Sequence, residues 1–236
     1  MRSLFIKDAA KERQKEEEEN VNKVVVKIKR RSDGTMKSKI RYKGRIKDGP
    51  AEDYYENGKL RTSIEYKDGL RHGEAKLYHK NGKLYRMTEY KDDMKNGLVT
   101  IYRKDGNVKA TIPYKNDEPG IGTQEYYVSG NPKTEYPELK INKINRLKSE
   151  GRYMVEVELS EKDRNAVFYS GKLTDGKYIN NNLVMLETPE KEVGLLDIYL
   201  PPGTMVNETI NIIAVAETSM GNPYIVQKEV NINISN

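Results

Sequence analysis

The chain has 236 residues, enough for one large or two ordinary domains, and a third of them are charged. Cysteine and tryptophan are absent, phenylalanine occurs twice, and 17 tyrosines supply nearly all of the aromatic surface. The lack of cysteine excludes disulfides, thiolate metal sites and cysteine nucleophiles, and the small apolar share favours thin, surface-rich sheets over a large globular enzyme.

The net charge of +6 is divided unevenly along the chain. Residues 1–30 carry +3, residues 31–136 carry +6 and residues 137–236 carry −3. The basic middle segment favours an anionic partner or membrane surface, although lysine and glutamate also serve simply to solvate exposed strands. The N-terminus lacks the apolar core of a secretory signal. We therefore expect a cytoplasmic protein if Met1 is the native start, and a cell-envelope protein if an upstream signal has been removed.

The first segment, residues 1–23, is predicted to be an N-terminal helix or tail. Residues 3–20 contain Ala, Lys, Glu, Arg and Gln without Gly or Pro, which favours a short helix. Its apolar residues lie only at the beginning, so a solvated helix or frayed tail is the first interpretation. An oligomerisation or docking helix is the alternative. The sequence VVVKIKR at 24–30 then begins β structure.

The second segment, residues 24–136, repeats with a period of 24 residues, and such a period indicates an array of identical structural units. Glycines preceded by Asp, Asn or Ser, tyrosines followed by Lys, and a second series of tyrosines all keep this interval. The three series are Gly34, Gly58, Gly82, Gly106 and Gly130; Tyr42, Tyr66, Tyr90 and Tyr114; and Tyr54, Tyr78, Tyr102 and Tyr126.

Each repeat unit is predicted to be a β-hairpin. Asn-Gly and Asp-Gly between alternating residues favour a two-residue turn with positive φ at both positions, and Gly49, Gly73 and Gly97 are expected to form a second turn. A two-residue turn at Asn57-Gly58 places Leu60 and Ile64 on one, modestly apolar face. Tyr54 then lies on the other face, opposite Arg61. Stacked side by side, the units form a long antiparallel sheet.

The pattern YYENGKL…YKDGLRHGEAKLYHKNGKL resembles the variant MORN repeat of bacterial proteins, often catalogued as antitoxin-like. The resemblance covers roughly residues 31–136, with weaker copies at both ends. It implies an elongated, twisted sheet of hairpins that serves as a protein- or membrane-binding scaffold, without a catalytic centre of its own.

The third segment, residues 137–236, is predicted to be an immunoglobulin-like β-sandwich. GRYMVEVELS and NPYIVQKEVNINIS alternate between apolar and polar residues, which indicates half-buried strands. Further strands are expected near 139–147, 165–173, 182–187, 192–200 and 209–217. Seven short strands in about 100 residues suit such a sandwich, with a jelly roll or another sandwich as alternatives. We expect residues 138–236 to fold alone.

The sequence contains no motif of an enzyme. The two histidines, His72 and His79, are explained as repeat residues at the surface, and no P-loop, GxSxG, HExxH or EF-hand pattern occurs. We therefore predict no catalytic residue, no metal site and no cofactor. A partner-binding stripe is the alternative to purely structural tyrosines on the array. Its predicted residues are Tyr54, Tyr78, Tyr102, Tyr126, Arg61, Lys76 and Lys109.

The leading functional hypothesis is a non-catalytic binding or scaffold protein that contacts another protein through the repeat sheet, a sheet edge or the sandwich loops. A membrane-surface or cell-envelope protein that uses the basic array is the alternative. An antitoxin-like protein that neutralises its partner is another, and an enzyme accessory subunit or cryptic hydrolase is a third. Nucleic acid is not expected as a partner, and a homo-oligomer stays open.

Overall fold

This computed structural model describes residues 22–236, and the predicted N-terminal helix at residues 3–20 lies outside them. Strands account for 62% of the described residues, which confirms the prediction of an all-β protein. The described residues divide into two compact units, residues 22–108 (unit 1) and residues 109–236 (unit 2). The boundary between the two units lies before the predicted end of the repeat array at residue 136. The predicted domain limits themselves stay a prediction.

Unit 1 contains an antiparallel sheet in which each strand pairs with the next along the chain. This arrangement confirms the predicted series of hairpins. The strands are β1 (Val24–Arg30), β2 (Met36–Lys43), β3 (Ile46–Tyr54), β4 (Leu60–Lys67), β5 (Leu70–Tyr78), β6 (Leu84–Lys91) and β7 (Met94–Tyr102).

The Asn-Gly turns are tight, as predicted, but their loops have three residues rather than two. In the first of them, the Tyr55 amide donates to the Lys59 carbonyl at 2.8 Å, and the Gly58 amide donates to the Tyr55 carbonyl at 3.0 Å. Gly58 has φ 78°, whereas Asn57 is not among the residues with positive φ. These features describe a type I turn followed by a left-handed glycine, the usual geometry of a three-residue hairpin loop. The two-residue loops with positive φ at both positions lie at the other ends of the strands, at Asp68-Gly69 and Asp92-Asp93.

The prediction that Gly49, Gly73 and Gly97 form a second turn is wrong, because all three lie inside strands. Each sits in a bulge where three residues face one residue of the neighbouring strand: Ile64 pairs with Ala75 and Tyr66 pairs with Arg71. The glycine adopts a positive φ, 94° at Gly73, because bulge geometry requires a conformation that other residues adopt only with strain.

The loop geometry also corrects the predicted faces near each turn. The residue that pairs with Tyr54 is Leu60, not Arg61, and Tyr78 likewise pairs with Leu84. Further from the turn the ladder shifts by one residue, so that Ala51 pairs with Ile64 as predicted. Paired residues of a ladder project to the same face. Leu60 and Leu84 therefore share a face with Tyr54 and Tyr78, and the expected separation of leucines from tyrosines does not hold.

Unit 1 is one layer thick over residues 22–108. Its buried residues in that range are Ser38, Thr88, Val99 and Thr100, and three of the four are polar. Most other strand residues are half-buried, including Ile64 and Leu77. A single sheet with so little buried apolar area must be stabilised by neighbouring repeats, as in other repeat proteins.

Unit 2 begins within β8 (Val108–Lys115), which pairs with β9 (Glu118–Pro119) and β10 (Gln124–Glu125). Two four-stranded antiparallel sheets follow, with orders β11-β12-β16-β15 and β14-β13-β17-β18. Residues 23–236 contain one helix, α1 (Leu147–Glu150), which connects β11 to β12. The strands are β11 (Leu139–Arg146), β12 (Arg152–Leu159), β13 (Val167–Ser170), β14 (Val184–Met185), β15 (Glu187–Glu190), β16 (Val193–Tyr199), β17 (Met205–Glu217) and β18 (Pro223–Ser235).

The two sheets of unit 2 share one apolar core. Val155 and Val157 of β12 pack in the same cluster as Phe168 of β13 and Ile212 of β17, and all four are fully buried. The predicted alternation is seen throughout β12, where every second residue is buried, and in β18 from Val230 to Ile234. In the first half of β18 the buried residue is Ile225, not the predicted Tyr224 and Val226. Residues 137–236 therefore form a two-sheet sandwich.

Residues 119–125 pack against the sandwich within unit 2. The Ile121 amide donates to the Lys177 carbonyl at 2.9 Å, and the Thr123 hydroxyl donates to the Pro223 carbonyl at 2.6 Å. Ile121 also packs beside a second apolar cluster of Leu173, Ile213 and Ile225. These contacts explain why the compact unit begins before the end of the repeats.

Candidate partner-binding surface

The repeated polar residues of the three-residue loops are engaged within the sheet. The Asn57 side-chain oxygen accepts from the Lys59 amide at 3.1 Å, and its amide group donates to the Lys80 carbonyl of the next repeat at 2.9 Å. The Lys59 ammonium donates to the Asn81 carbonyl at 2.7 Å, as Lys83 does to Asp105. The repeated NGK sequence is thus explained by bonds between neighbouring turns.

The tyrosines that precede lysine have a structural role on one face of the sheet. Cations stack on their rings: Lys27 lies 4.9 Å from the centre of Tyr42, Lys47 lies 4.5 Å from Tyr66, and Arg71 lies 4.2 Å from Tyr90. Such contacts contribute about 0.5–1 kcal/mol each at exposed sites. We call the side of the sheet with this row the tyrosine–cation face.

Arg71 also links one repeat to the next turn. Its Nε donates to Asp93 Oδ1 at 2.8 Å, and its Nη2 donates to the Asp93 carbonyl at 2.7 Å. The hydrogen bond from the guanidinium lowers the pKa of the Asp93 carboxyl and raises that of Arg71. Both groups are therefore charged across the usual pH range.

Tyr54, Tyr78 and Lys76 lie on the opposite face. The Tyr54 hydroxyl donates to Glu52 Oε2 at 2.8 Å, and burial together with this bond raises the pKa of Tyr54 to about 12. Lys76 is 2.5 Å from Glu74, whose hydrogen bond raises the lysine pKa. All three predicted residues are half-buried. They remain accessible, and their role as a binding stripe stays a prediction.

The other predicted site residues are distributed between the two units. Tyr102 ends β7 in unit 1, and Arg61 is exposed with its Nη2 3.7 Å from Asp53 Oδ2. Lys109 and Tyr126 lie in unit 2, where the Tyr126 amide donates to the Lys109 carbonyl at 2.9 Å. Five of the seven predicted residues therefore belong to unit 1.

A cavity of about 340 Å³ lies beside the first two three-residue loops of unit 1. It brings together Tyr54 and Arg61, which the sequence singled out, with residues that it did not. Sequence reasoning missed Arg31, Glu56 and Lys80, although Arg31 occupies the repeat position held by Tyr55 and His79. The side chains that form its wall are those of Arg31, Tyr54, Tyr55, Glu56, Arg61 and Lys80, together with Asn57.

The net charges of the two units differ more than those of the three sequence segments. Residues 22–108 carry 23 Lys and Arg against 12 Asp and Glu, a net charge of +11. Residues 109–236 carry 14 against 18, a net charge of −4. Much of the positive charge lies at the three-residue loops: segments 30–37, 54–61, 78–86 and 102–107 together contain ten basic and three acidic residues. We call these four segments the loop rim.

Unit 2 contains a buried polar cluster that has no sequence signal. Glu125 is fully buried, and its Oε1 accepts from the Thr218 hydroxyl and, at 2.6 Å, from the Asn222 amide group. Lys133 Nζ lies 3.7 Å from Glu125 Oε2. The cluster connects the partial last repeat to the loop between β17 and β18, and its role is therefore structural.

Unit 2 also has an open groove of about 520 Å³ beside β13 and β15, bordered by Val167, Met185 and Pro189. Met185 of the edge strand β14 borders the groove and is exposed, as is its neighbour Val184. The groove lies between edge strands of the two sheets. The predicted contact of another protein with the sandwich loops stays a prediction.

The two histidines are half-buried and each makes a local contact within unit 1. His72 Nδ1 lies 3.2 Å from Asp92 Oδ1, and the His79 ring packs 4.9 Å from the ring of Tyr85. Between residues 22 and 236, no group of three or more His, Asp or Glu side chains is placed to hold a metal ion. In the same range no helix is long and apolar enough to cross a membrane.

Comparison with known protein families identifies the type of the central repeats. Residues 47–68, 71–92 and 95–116 match the family model of the MORN repeat variant. No curated protein and no solved structure matches the chain. Repeats of this family are generally associated with protein or membrane binding and are generally non-catalytic. The central three repeats of this chain are thus MORN-type hairpins, as the sequence pattern indicated.

Proposed function

We propose that this protein is a non-catalytic binding module whose repeat sheet contacts an acidic region of another protein. This proposal rests on the net charge of +11 on residues 22–108, much of which lies at the loop rim. Opposite charge steers association and selects partners, even where it adds little to the final affinity. The thin sheet also leaves side chains accessible on both faces, including the tyrosines Tyr54, Tyr78 and Tyr102.

The test of this function compares charge at the two ends of the strands. In one variant Lys37, Lys80, Arg86 and Lys104, four exposed cations of the loop rim, are changed to Glu. In the matched control Lys43, Arg45, Lys67 and Lys91, near the two-residue loops, are changed to Glu. Proteins cross-linked to the unmodified chain in native cells are identified by mass spectrometry and then purified. Loss of binding to an acidic partner in the first variant alone supports the proposal, and unchanged binding in both variants rejects it.

The sandwich of unit 2 is proposed to be of the immunoglobulin-like class. Its strand orders β11-β12-β16-β15 and β14-β13-β17-β18 correspond to the A-B-E-D and C′-C-F-G orders of that class. Loops at the ends of such sandwiches often bind partners. A neutralising, antitoxin-like role would be a special case of the proposed protein binding, and co-expression with the identified partner tests it through recovery of the partner's activity.

An anionic membrane surface is the second candidate partner. Exposed apolar residues of β1 pair across the ladder with basic residues of β2: Val24 with Lys43, Val26 with Arg41, and Ile28 with Lys39. Aliphatic and basic side chains side by side suit a negatively charged lipid interface. Flotation with vesicles containing phosphatidylserine, at low and high salt, tests this candidate. Absence of lipid-dependent flotation at both salt concentrations rejects it.

A further inference from the structure

We propose that the cavity formed by Arg31, Arg61 and Lys80 binds a glutamate or aspartate side chain of an acidic peptide segment. This inference rests on the protein-binding function proposed above and assigns one binding site to it. Three cationic side chains and one carboxylate, Glu56, line the cavity, so the lining residues carry a net charge of about +2, and the Asp53 carboxylate lies outside the lining beside Arg61. Its volume of about 340 Å³ lies at the small end of the range for ligand pockets, roughly 300–1,000 Å³.

Arg31 gives the cavity a fixed positive group. Its Nη1 donates to the Met36 carbonyl at 2.6 Å, and its Nη2 donates to the Tyr54 carbonyl at 2.5 Å. These acceptors orient the guanidinium but carry no full charge, so the positive charge is not cancelled by them. The equivalent bond one repeat later is made by a neutral group, the Tyr55 hydroxyl, to the Tyr78 carbonyl at 2.7 Å. The first repeat therefore substitutes a cation at a position where the second has a phenol.

Arg61 and Lys80 add charges that can move toward a ligand. Arg61 is exposed, and its ion pair with Asp53, at 3.7 Å, joins two half-exposed side chains, which makes it weak. Lys80 is also exposed, and it contributes its carbonyl, not its ammonium, to the bond with Asn57. One repeat later the position of Arg61 is occupied by Tyr85, whose ring packs on His79. The concentration of cations thus comes from differences between repeats and not from the shared repeat pattern.

The mixture of donors and an acceptor favours a peptide over a nucleic acid. Arg and Lys can form charge-assisted hydrogen bonds to a carboxylate, and the arginine fork can bind both of its oxygens. Glu56 can accept a hydrogen bond from a peptide N–H, whereas it would repel a phosphodiester backbone. The rings of Tyr54 and Tyr55 supply flat contact area beside these groups. An acidic peptide satisfies all of these groups together.

The experiment measures binding of a fluorescently labelled ten-residue glutamate peptide to the full chain by anisotropy at low salt. The test variant is Arg61→Gln with Lys80→Gln, because Arg31 also supports the fold. The control variant is Lys67→Gln with Lys91→Gln, which removes the same charge at exposed positions near the two-residue loops. We expect at least a tenfold loss of affinity in the test variant and less than a threefold loss in the control, with unchanged thermal unfolding in both.

The outcomes separate this inference from the function on which it rests. Equal losses in the two variants would mean that net charge alone binds the peptide, which overturns the cavity assignment and leaves the proposed function standing. Absence of peptide binding by the unmodified chain at low salt would contradict both. A parallel titration uses a labelled ten-nucleotide oligothymidylate. Tighter binding of that oligonucleotide, lost in the test variant only, would overturn the choice of a peptide.

Discussion

The β-sheets of the two units are stabilised by different kinds of interaction. In unit 1 a single sheet buries four residues between positions 22 and 108, and its repeats are joined by hydrogen bonds between turns and by cations stacked on tyrosines. In unit 2 two sheets enclose a continuous apolar core with Val157 and Phe168 at its centre. The difference shows that a repeated sequence can replace burial by many small, identical interactions between neighbours.

This difference has a consequence for function. A sandwich uses one face of each sheet for its core, whereas the sheet of unit 1 keeps side chains of both faces at least partly accessible. The accessible surface of unit 1 is also strongly basic, with a net charge of +11 over residues 22–108. This basic and accessible surface is the one that we propose contacts an acidic partner.

The largest expected effect contrasts the two cores. Phe168→Ala removes a fully buried ring and should lower the free energy of unfolding of unit 2 by about 3–5 kcal/mol. Ile64→Ala, at a half-buried position of unit 1, should cost about 1 kcal/mol. Hydrogen exchange followed peptide by peptide measures each unit separately. Equal losses of protection at the two sites would contradict the contrast between a packed core and a single-layer sheet.

The buried cluster at Glu125 is the next most sensitive point. Glu125→Ala removes the acceptor for Thr218 and Asn222 and leaves Lys133 without its nearby carboxylate, so unit 2 should lose about 2–3 kcal/mol. The control is Glu135→Ala, an exposed glutamate of the same segment. Denaturant unfolding monitored by circular dichroism compares the two. A change no larger than that of the control would show that the cluster does not stabilise the unit.

The same cluster refines the expectation that residues 138–236 fold alone. A fragment that starts at residue 138 lacks both Glu125 and the apolar cover from Ile121. We expect it to retain the sandwich but to melt at a lower temperature than the corresponding transition of the full chain. Fragments beginning at residues 109 and 138, compared by calorimetry, test this, and equal melting temperatures would place the domain limit at the predicted position.

A smaller effect distinguishes two classes of glycine in the repeats. At Gly97, with φ 124°, an added Cβ would lie 2.9 Å from Glu89 Cβ, so Gly97→Ala should cost about 2 kcal/mol. At Gly58, with φ 78°, an added Cβ meets nothing within 4 Å, so Gly58→Ala should cost about 1 kcal/mol. Thermal unfolding of the two variants measures the difference. The reverse order would mean that the bulge relaxes more easily than the turn.

The smallest expected effect concerns alkaline pH. The pKa of Tyr54 is raised to about 12 by burial and by its bond to Glu52, above its usual value near 10. Because the folded state favours the neutral phenol, this contribution to stability is complete below about pH 10 and is lost as the pH rises toward 12. Tyr54→Phe should flatten the fall in stability over that window. A titration of tyrosinate absorbance and unfolding at several pH values check the sign.

The sequence alone determined the periodic features of this protein. The 24-residue interval predicted the hairpins of unit 1, because a segment that is repeated in sequence is also repeated in structure. The alternation in residues 151–160 and 222–235 predicted strands β12 and β18, because a half-buried strand exposes every second residue. Net charge by segment already identified the array as the basic part of the chain.

Only the tertiary structure decided the loop length and the position of the bulges. Asn-Gly is compatible with both two- and three-residue loops, and the longer loop here places Asn57 and Tyr55 where they bond to the next repeat. The bulges at Gly73 and its equivalents depend on register between strands, which a local pattern does not contain. The predicted pairing of Tyr54 with Arg61 was wrong for the same reason.

The candidate site and the Glu125 cluster also depended on the folded chain. Arg31, Arg61 and Lys80 are separated by 19 to 49 positions in the sequence, and the stacking of turns brings them to one cavity. Glu125 meets Thr218 across 93 positions. The 24-residue period describes only what neighbouring repeats share. The cavity depends on residues that differ between repeats, and the Glu125 cluster depends on contacts between residues far apart in the chain. Such long-range contacts form only when the chain has folded.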